Sequence, residues 1–154
     1  MTAQAIIRRL QAQGLTVATC ESLTGGMICA ALVDVPGASR VVRGGLITYQ
    51  TDTKSLLAGV DAGLIETHGV VSAEVARAMA AGARDALHAD ISVSATGMAS
   101  PGEIGDPPAG TVFVGLASAA GVQAVELHLT GDRQAIRQQT VDTAIKLIGQ
   151  EIGI

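Results

Sequence analysis

Residues 15–34 read LTVATCESLTGGMICAALVD, and this stretch decides the fold. Its apolar beginning predicts a β-strand over residues 15–20, and its second half predicts a helix over residues 24–34. The Glu-Ser-Leu-Thr-Gly-Gly segment between them has the composition of a turn. A strand that runs through a short turn into a helix is the repeating unit of α/β proteins.

The rest of the chain continues this alternation of strands and helices. The apolar patterns predict further helices over 3–13, 52–58, 73–89 and 132–150, with a short helical turn near 61–66. They predict further strands over 42–50, 91–95, 111–117 and 122–129. A Gly/Pro-rich loop is expected over 97–110, and the last two strands should form a hairpin near Gly121. We therefore predict a single α/β domain over residues 1–154, a three-layer α/β/α sandwich with a mixed β-sheet.

The helix over 73–89 has the clearest pattern. Ser72 can cap its N-terminus, and Glu74 places a negative charge at the positive end of the helix dipole. Apolar residues recur every four positions on one face, at Val75, Met79, Ala83 and Leu87. This face is expected to lie in the core.

Composition and charge exclude several classes of protein. No apolar run reaches the roughly 18 residues of a membrane-spanning helix, and the N-terminus lacks the features of a signal peptide, so we expect a cytoplasmic protein without a membrane partner. The net charge is −4 and the basic residues are scattered, which argues against a nucleic-acid partner. The two cysteines and three histidines match no metal-binding spacing, so we expect reduced thiols and no metal site.

The turn after the first strand is the first candidate site. It places Ser22 at the sheet edge and brings Thr24, Gly25 and Gly26 close to helix N-terminal amides, which can bind an oxyanion or a phosphate. The plainer interpretation is that Ser22 or Thr24 only caps the helix, and spacing alone favours it. Neither the GxSxG nor the GxxxxGK[ST] motif is present.

The second candidate site follows the strand over 42–50. Tyr49 ends that strand, Thr51 or Asp52 can cap the next helix, and Lys54 then falls in its first turn. A cation there opposes the helix dipole, which favours a neutral amine that could act as the base for a serine. A lone lysine is more often solvated, but Ser22 on a neighbouring strand end favours the functional interpretation.

Two further stretches could contact a ligand. Residues 94–102 close a strand and begin the loop that holds three of the four prolines, and this loop could cover a ligand or form a surface connection. Gly131 and Asp132 open the last helix, where Asp132 reads as the cap. Arg133 could then contact a phosphate, although a surface charge is the commoner role.

Taken in order, six short stretches resemble the CinA-like C-terminal domain family of competence-damage-inducible proteins, the nicotinamide-nucleotide amidohydrolases. They lie at residues 20–26 (CESLTGG), 48–54 (TYQTDTK), 69–72 (GVVS), 94–101 (SATGMASP), 110–112 (GTV) and 131–133 (GDR). The resemblance extends over nearly the whole chain. It implies hydrolysis of nicotinamide mononucleotide to nicotinate mononucleotide and ammonia, without a metal or another cofactor.

The resemblance also assigns residue roles. It implies Ser22 as the nucleophile, Lys54 as its base, and Tyr49 as a neighbouring hydroxyl that relays a proton or holds the lysine. The substrate, a small pyridine mononucleotide, would be bound by a larger set of residues. These are Thr24, Gly25 and Gly26, the turn at Thr96 and Gly97, and Arg133 as a phosphate contact.

The sequence departs from the family pattern at several positions. These are Cys20, Leu23, Gln50, Thr51, Ser100 and Pro107, the last of which stands where a lysine is common. Longer members carry an additional N-terminal domain, and we expect the single-domain form here, assembled as a homo-oligomer. Two alternatives stay open: an amidohydrolase that acts on another small amide, and a non-catalytic nucleotide-binding module.

Overall fold

The computed structural model describes all residues, Met1–Ile154, as an open five-stranded sheet with six helices. The strands are β1 (Val17–Glu21), β2 (Val42–Ile47), β3 (Ile91–Gly97), β4 (Thr111–Ser118) and β5 (Gly121–His128). The helices are α1 (Ala3–Gln13), α2 (Met27–Val33), α3 (Thr51–Ala58), α4 (Ala62–His68), α5 (Ala73–Ala86) and α6 (Arg133–Glu151). The predicted number and order of strands and helices are confirmed.

The sheet is mixed, as predicted, with strand order β2-β1-β3-β4-β5. β1 lies between β2 and β3 and is parallel to both, whereas β4 and β5 are antiparallel additions joined by a hairpin. Glu21 pairs with Ile47 on one side and with Ala95 on the other. The carboxyl ends of three parallel strands therefore meet at one edge, which is where ligands bind in open α/β sheets.

Helices cover both faces of the sheet and form a three-layer sandwich. The larger core, of 23 buried residues, packs α1, α2 and α6 against one face. The smaller core lies on the other face and includes residues of α3 and α5. Side chains alternate between the faces along β1, so Val17 contributes to the first core and Cys20 to the second.

The cap and most of the buried face predicted for α5 are confirmed, but Leu87 lies just beyond the helix as its C-cap and is only half-buried. Ser72 caps it, since its hydroxyl accepts a hydrogen bond from the backbone N–H of Val75 at 3.2 Å. Val75, Met79 and Ala83 are fully buried. The helix ends at Ala86, three residues before the predicted end, because the chain turns through His88 with a positive φ of 50°.

Two predicted boundaries beside the sheet edge are wrong. α2 begins at Met27 instead of residue 24, because Gly25 and Gly26 have φ values of 56° and 107°, outside the helical region. β2 ends at Ile47 instead of residue 50. The N-cap of α3 is Gln50, and neither Thr51 nor Asp52 caps it.

Gly82 allows α5 to approach α3 closely, and its replacement by alanine is expected to destabilise the fold. A Cβ at Gly82 would lie 1.7 Å from the carbonyl oxygen of Ala58. We expect Gly82→Ala to lower the free energy of unfolding by roughly 1–3 kcal/mol, despite the better helix propensity of alanine. Urea denaturation would measure the change.

Gly149→Ala is the matched control for this prediction. A Cβ there would meet mainly the flexible end of Met1, at 2.7 Å, so we expect a smaller loss or a gain in stability. Equal stability of Gly82→Ala and the wild type would contradict the close approach of the two helices.

Candidate active site

Ser22 and Lys54 form a hydrogen-bonded pair at the edge where the parallel strands end. Ser22 directly follows β1, and Lys54 lies in the first turns of α3. The Lys54 Nζ lies 3.0 Å from the Ser22 Oγ. It also lies 2.6 Å from the carbonyl oxygen of Thr48 and 3.5 Å from that of Tyr49. Two carbonyl acceptors thus orient the amine, and the serine hydroxyl is its third neighbour.

The Lys54 side chain is buried, so the interpretation as a solvated lysine is wrong. Only 1% of the residue is exposed, and no carboxylate forms an ion pair with it. Burial lowers the pKa of the Lys54 amine to about 8, because desolvation disfavours the charged form; only a Cys20 thiolate would oppose this effect. A neutral amine is therefore accessible near neutral pH and can accept a proton from Ser22.

The Cys20 thiol lies near this pair, but it is not the nucleophile. Burial raises the pKa of the Cys20 thiol to about 11, partly offset by a hydrogen bond with Thr48 and by the charge of Lys54. The thiol therefore stays protonated and poorly nucleophilic. Both Cys20 and Cys29 are free.

Glu21 holds the turn that carries Ser22, a role that the sequence analysis missed. Its carboxylate is fully buried and accepts hydrogen bonds from the backbone N–H groups of Ile28 at 2.8 Å and Cys29 at 2.9 Å. The hydroxyl of Thr19 donates to it at 3.0 Å. A carboxylate at the positive end of α2 is favourable, and it ties the helix to β1.

The structure excludes the simple capping role for this turn. Gly26 is the N-cap of α2, and neither Ser22 nor Thr24 makes a side-chain cap. The first α2 amides are not free for a ligand either, since Glu21 accepts from them. The N–H of Gly25 is also occupied, because it donates to the carbonyl oxygen of Ser22 at 3.0 Å.

Arg137 holds the same turn from α6. Its Nε donates to the carbonyl oxygen of Leu23 at 2.9 Å, and its Nη2 donates to that of Thr24 at 3.3 Å. The sequence placed Arg137 one turn after Arg133 but gave no sign of these backbone contacts. The turn after Ser22 is thus fixed by the Glu21 carboxylate at the end of β1 and by the Arg137 guanidinium on α6.

A cavity of about 300 Å³ opens beside the serine–lysine pair. Six of the nine predicted site residues line it: Ser22, Tyr49, Lys54, Thr96, Gly97 and Arg133. The other three, Thr24, Gly25 and Gly26, do not. Gly25 instead faces Arg137, and Gly26 faces Ile47.

Tyr49 and Arg133 meet at this cavity, but not in the way that the resemblance implies. Tyr49 is 57% exposed, and its hydroxyl accepts a hydrogen bond from Arg133 Nη2 at 3.0 Å. Lys54 contacts the backbone carbonyl of Tyr49, not the phenol. Arg133 Nη1 also donates to the hydroxyl of Ser100 at 3.1 Å. The Tyr49 hydroxyl therefore holds Arg133 and does not hold Lys54.

The loop after β3 lines the cavity with its first residues and runs over the surface with its later ones. Its first residues, from Met98 to Gly102, line the cavity together with Thr96, whose hydroxyl donates to the carbonyl oxygen of Val70 at 2.9 Å. Its later residues are exposed, and Ile104 has no protein cover. Gly97 is needed where β3 lies against β4, since a Cβ there would lie 2.8 Å from the carbonyl oxygen of Thr111.

No group of three or more His, Cys, Asp or Glu side chains comes close enough to hold a metal ion. None of the six helices combines the length and the apolar character needed to cross a bilayer.

The family model and the similar proteins agree on one family. Residues 1–152 match the CinA C-terminal domain. The chain is 43% identical to the CinA-like protein of Geobacter sulfurreducens and 41% identical to that of Frankia casuarinae, over 92% and 93% of its own length. It spans 34% and 33% of the lengths of these two relatives.

Solved structures share the fold over almost the whole chain. The competence/damage inducible protein CihA of Agrobacterium tumefaciens aligns with a TM-score of 0.93 and 35% identity, over 99% of this chain and 93% of that one. A CinA superfamily protein of Escherichia coli aligns with a TM-score of 0.93 and 29% identity, over 97% and 87%.

Proposed function

The chain belongs to the CinA C-terminal domain family, and we propose that it hydrolyses the carboxamide of nicotinamide mononucleotide to nicotinate mononucleotide and ammonia. The observation that carries this proposal is the buried contact of 3.0 Å between Lys54 Nζ and Ser22 Oγ. A nucleophile beside a buried base with a lowered pKa is the arrangement that covalent hydrolysis requires. The neighbouring cavity has the size of a small-molecule site.

The first half of the reaction forms an acyl-enzyme. Neutral Lys54 accepts the proton of the Ser22 hydroxyl while Oγ attacks the amide carbon. The carbon–nitrogen bond then breaks, Lys54 returns the proton to the leaving nitrogen, and ammonia departs. While Lys54 holds the proton, the carbonyl oxygens of Thr48 and Tyr49 stabilise its ammonium group by accepting hydrogen bonds from its other N–H groups.

The developing negative charge on the amide oxygen needs hydrogen-bond donors. The N–H of Leu23 has no acceptor within the protein, and Leu23 lines the cavity directly after the nucleophile. We assign it as an oxyanion donor, which is a common position for this group in serine hydrolases.

The second half of the reaction hydrolyses the acyl-enzyme. Water attacks the ester carbon while Lys54 accepts a proton from the water. Lys54 then gives that proton to Ser22 Oγ as the ester bond breaks.

Ammonia release from nicotinamide mononucleotide tests the proposed activity directly. We expect release by the wild-type protein together with an equal amount of nicotinate mononucleotide. Free nicotinamide and a panel of other small amides would run beside it. Ammonia release from another amide alone would identify that amide as the substrate. Release from none of them would favour a non-catalytic nucleotide-binding module.

The rate should depend on pH through Lys54. Because the amine must be neutral to act as a base, and because its pKa is lowered to about 8, we expect kcat/KM to rise about tenfold per pH unit below pH 8 and to level off above it. A pH–rate profile of the wild-type protein measures this. A flat profile between pH 6 and 9 would contradict the role of Lys54.

Arg133 is proposed to contact the substrate phosphate. Replacing it by methionine removes charge-assisted hydrogen bonds worth about 1.5–3 kcal/mol, so we expect kcat/KM for the mononucleotide to fall about 10- to 100-fold. Activity on nicotinamide riboside, which lacks the phosphate, should not change. Arg8→Met, an exposed arginine on α1, is the control. An equal loss on both substrates would argue against a phosphate contact.

A further inference from the structure

The cavity carries positive charge in a protein whose net charge is −4. Among its 15 lining residues are Lys54 and Arg133 and no aspartate or glutamate. No carboxylate lies within ion-pair distance of Arg133 either. A guanidinium without a carboxylate partner creates a positive electrostatic potential in a concave site, and this potential favours an anionic ligand.

Two neutral hydroxyls hold this guanidinium in place. Tyr49 comes from the turn between β2 and α3, Ser100 from the loop after β3, and Arg133 is the first residue of α6. The Arg133 Nη1 and Nη2 atoms donate to Ser100 Oγ at 3.1 Å and to the Tyr49 hydroxyl at 3.0 Å. Both contacts use acceptors that bring no negative charge, so the arginine is positioned without being neutralised.

The hydrogen-bonding capacity left over at these groups fits a phosphate. An arginine has five N–H donors, and two of them are used here, which leaves three. Each hydroxyl accepts from Arg133 and donates to no protein acceptor, so its own proton is available to a ligand. One arginine and two hydroxyls can therefore surround a group with several acceptor oxygens.

We propose that Tyr49 and Ser100 are specificity-determining residues that, with Arg133, make the mouth of the cavity selective for a phosphomonoester. This inference rests on the proposed function, since it concerns the substrate of the same site. The two hydroxyls act by fixing the guanidinium before the ligand arrives, which reduces the entropy lost by a long side chain on binding, and by donating to the phosphate oxygens.

This role predicts a selective loss, whereas a catalytic Tyr49 hydroxyl predicts a general one. We expect Tyr49→Phe and Ser100→Ala each to lower kcat/KM for nicotinamide mononucleotide about 5- to 20-fold, with nicotinamide riboside hydrolysed as by the wild type. Ser39→Ala, which removes an exposed hydroxyl far from the cavity, is the control. Both replaced side chains are at the surface of the cavity, and the thermal midpoint of each variant would verify its fold.

The outcomes separate the possibilities. Equal losses on the two substrates would overturn the proposal for Tyr49 in favour of a catalytic role, and unchanged selectivity in both variants would overturn it altogether. If the wild type hydrolyses neither substrate, calorimetry with ribose 5-phosphate against ribose still decides: binding of the phosphate form alone, weakened in both variants, is expected. Equal or absent binding of the two sugars by the wild type would overturn the proposal independently of hydrolysis.

Discussion

Replacing Ser22 by alanine is expected to reduce ammonia release to the uncatalysed background, a loss of about 10⁴-fold or more. The variant lacks the oxygen that would carry the acyl group, so no covalent intermediate can form. Ser22 is only 8% exposed, and alanine fits its space, so the fold should persist. Initial rates of ammonia release would measure the loss of turnover. Mass spectrometry of the protein after rapid acid quenching would show whether an acyl group is attached to it.

The control for Ser22→Ala is Ser39→Ala, which should retain wild-type turnover and the trapped acyl group. Residual turnover of Ser22→Ala above a few per cent of wild type would contradict covalent catalysis by this serine. Water activated by Lys54 would then be the nucleophile. A double variant, Ser22→Ala with Lys54→Met, should be no slower than Ser22→Ala alone, because two residues that act as a unit are not additive.

Much of the site's position followed from sequence patterns. The periodic spacing of α5 and the apolar strands predicted the layers, and the parallel arrangement then implied that residues after β1 and β2 share an edge. Ser22 and Lys54 do meet there, at 3.0 Å. The order and approximate position of the strands depend on the hydrophobic pattern, which is readable from a single sequence.

The contacts that fix the site were not predictable in the same way. A glutamate after a strand is normally expected in solvent, yet Glu21 is fully buried because two α2 amides and a hydroxyl satisfy it. Tyr49 was expected inside a strand, but β2 ends at Ile47, so Tyr49 lies in a turn and its phenol reaches Arg133. Both outcomes depend on partners that are distant in sequence or on a boundary shift of three residues.

Replacing Lys54 by methionine is expected to lower kcat about 10²- to 10⁴-fold, the range that removal of a general base produces. Lys54→Arg should be nearly as slow, although it keeps the positive charge, because a guanidinium does not lose its proton in this pH range. The pair of variants therefore distinguishes a base from a charge that only orients the substrate. Near-normal turnover of Lys54→Arg would contradict general-base catalysis. Lys146→Met, at an exposed position on α6, is the control.

Lys54→Met should also change how stability depends on pH. In the folded protein the pKa of Lys54 is about 8, below the ordinary lysine value of 10.5, so the unfolded chain binds more protons between these two pH values. The wild type therefore gains stability as pH rises from about 8 to 10.5, by about 3 kcal/mol, and lacks this stability at pH 7. In Lys54→Met no amine has to lose a proton to be buried, so the variant avoids this loss of stability at low pH. It also loses the hydrogen bonds to Thr48 and Tyr49.

The stability of Lys54→Met relative to the wild type should thus be greatest at pH 7 and smallest at pH 10.5. Urea denaturation of both proteins at these two pH values measures the difference, and Lys146→Met should follow the wild type at each. Equal pH dependence of the wild type and Lys54→Met would mean that the lysine is not buried as a base. The burial that weakens the fold at neutral pH is the same burial that lowers the pKa of Lys54, and it leaves enough of the amine neutral to accept the proton of Ser22.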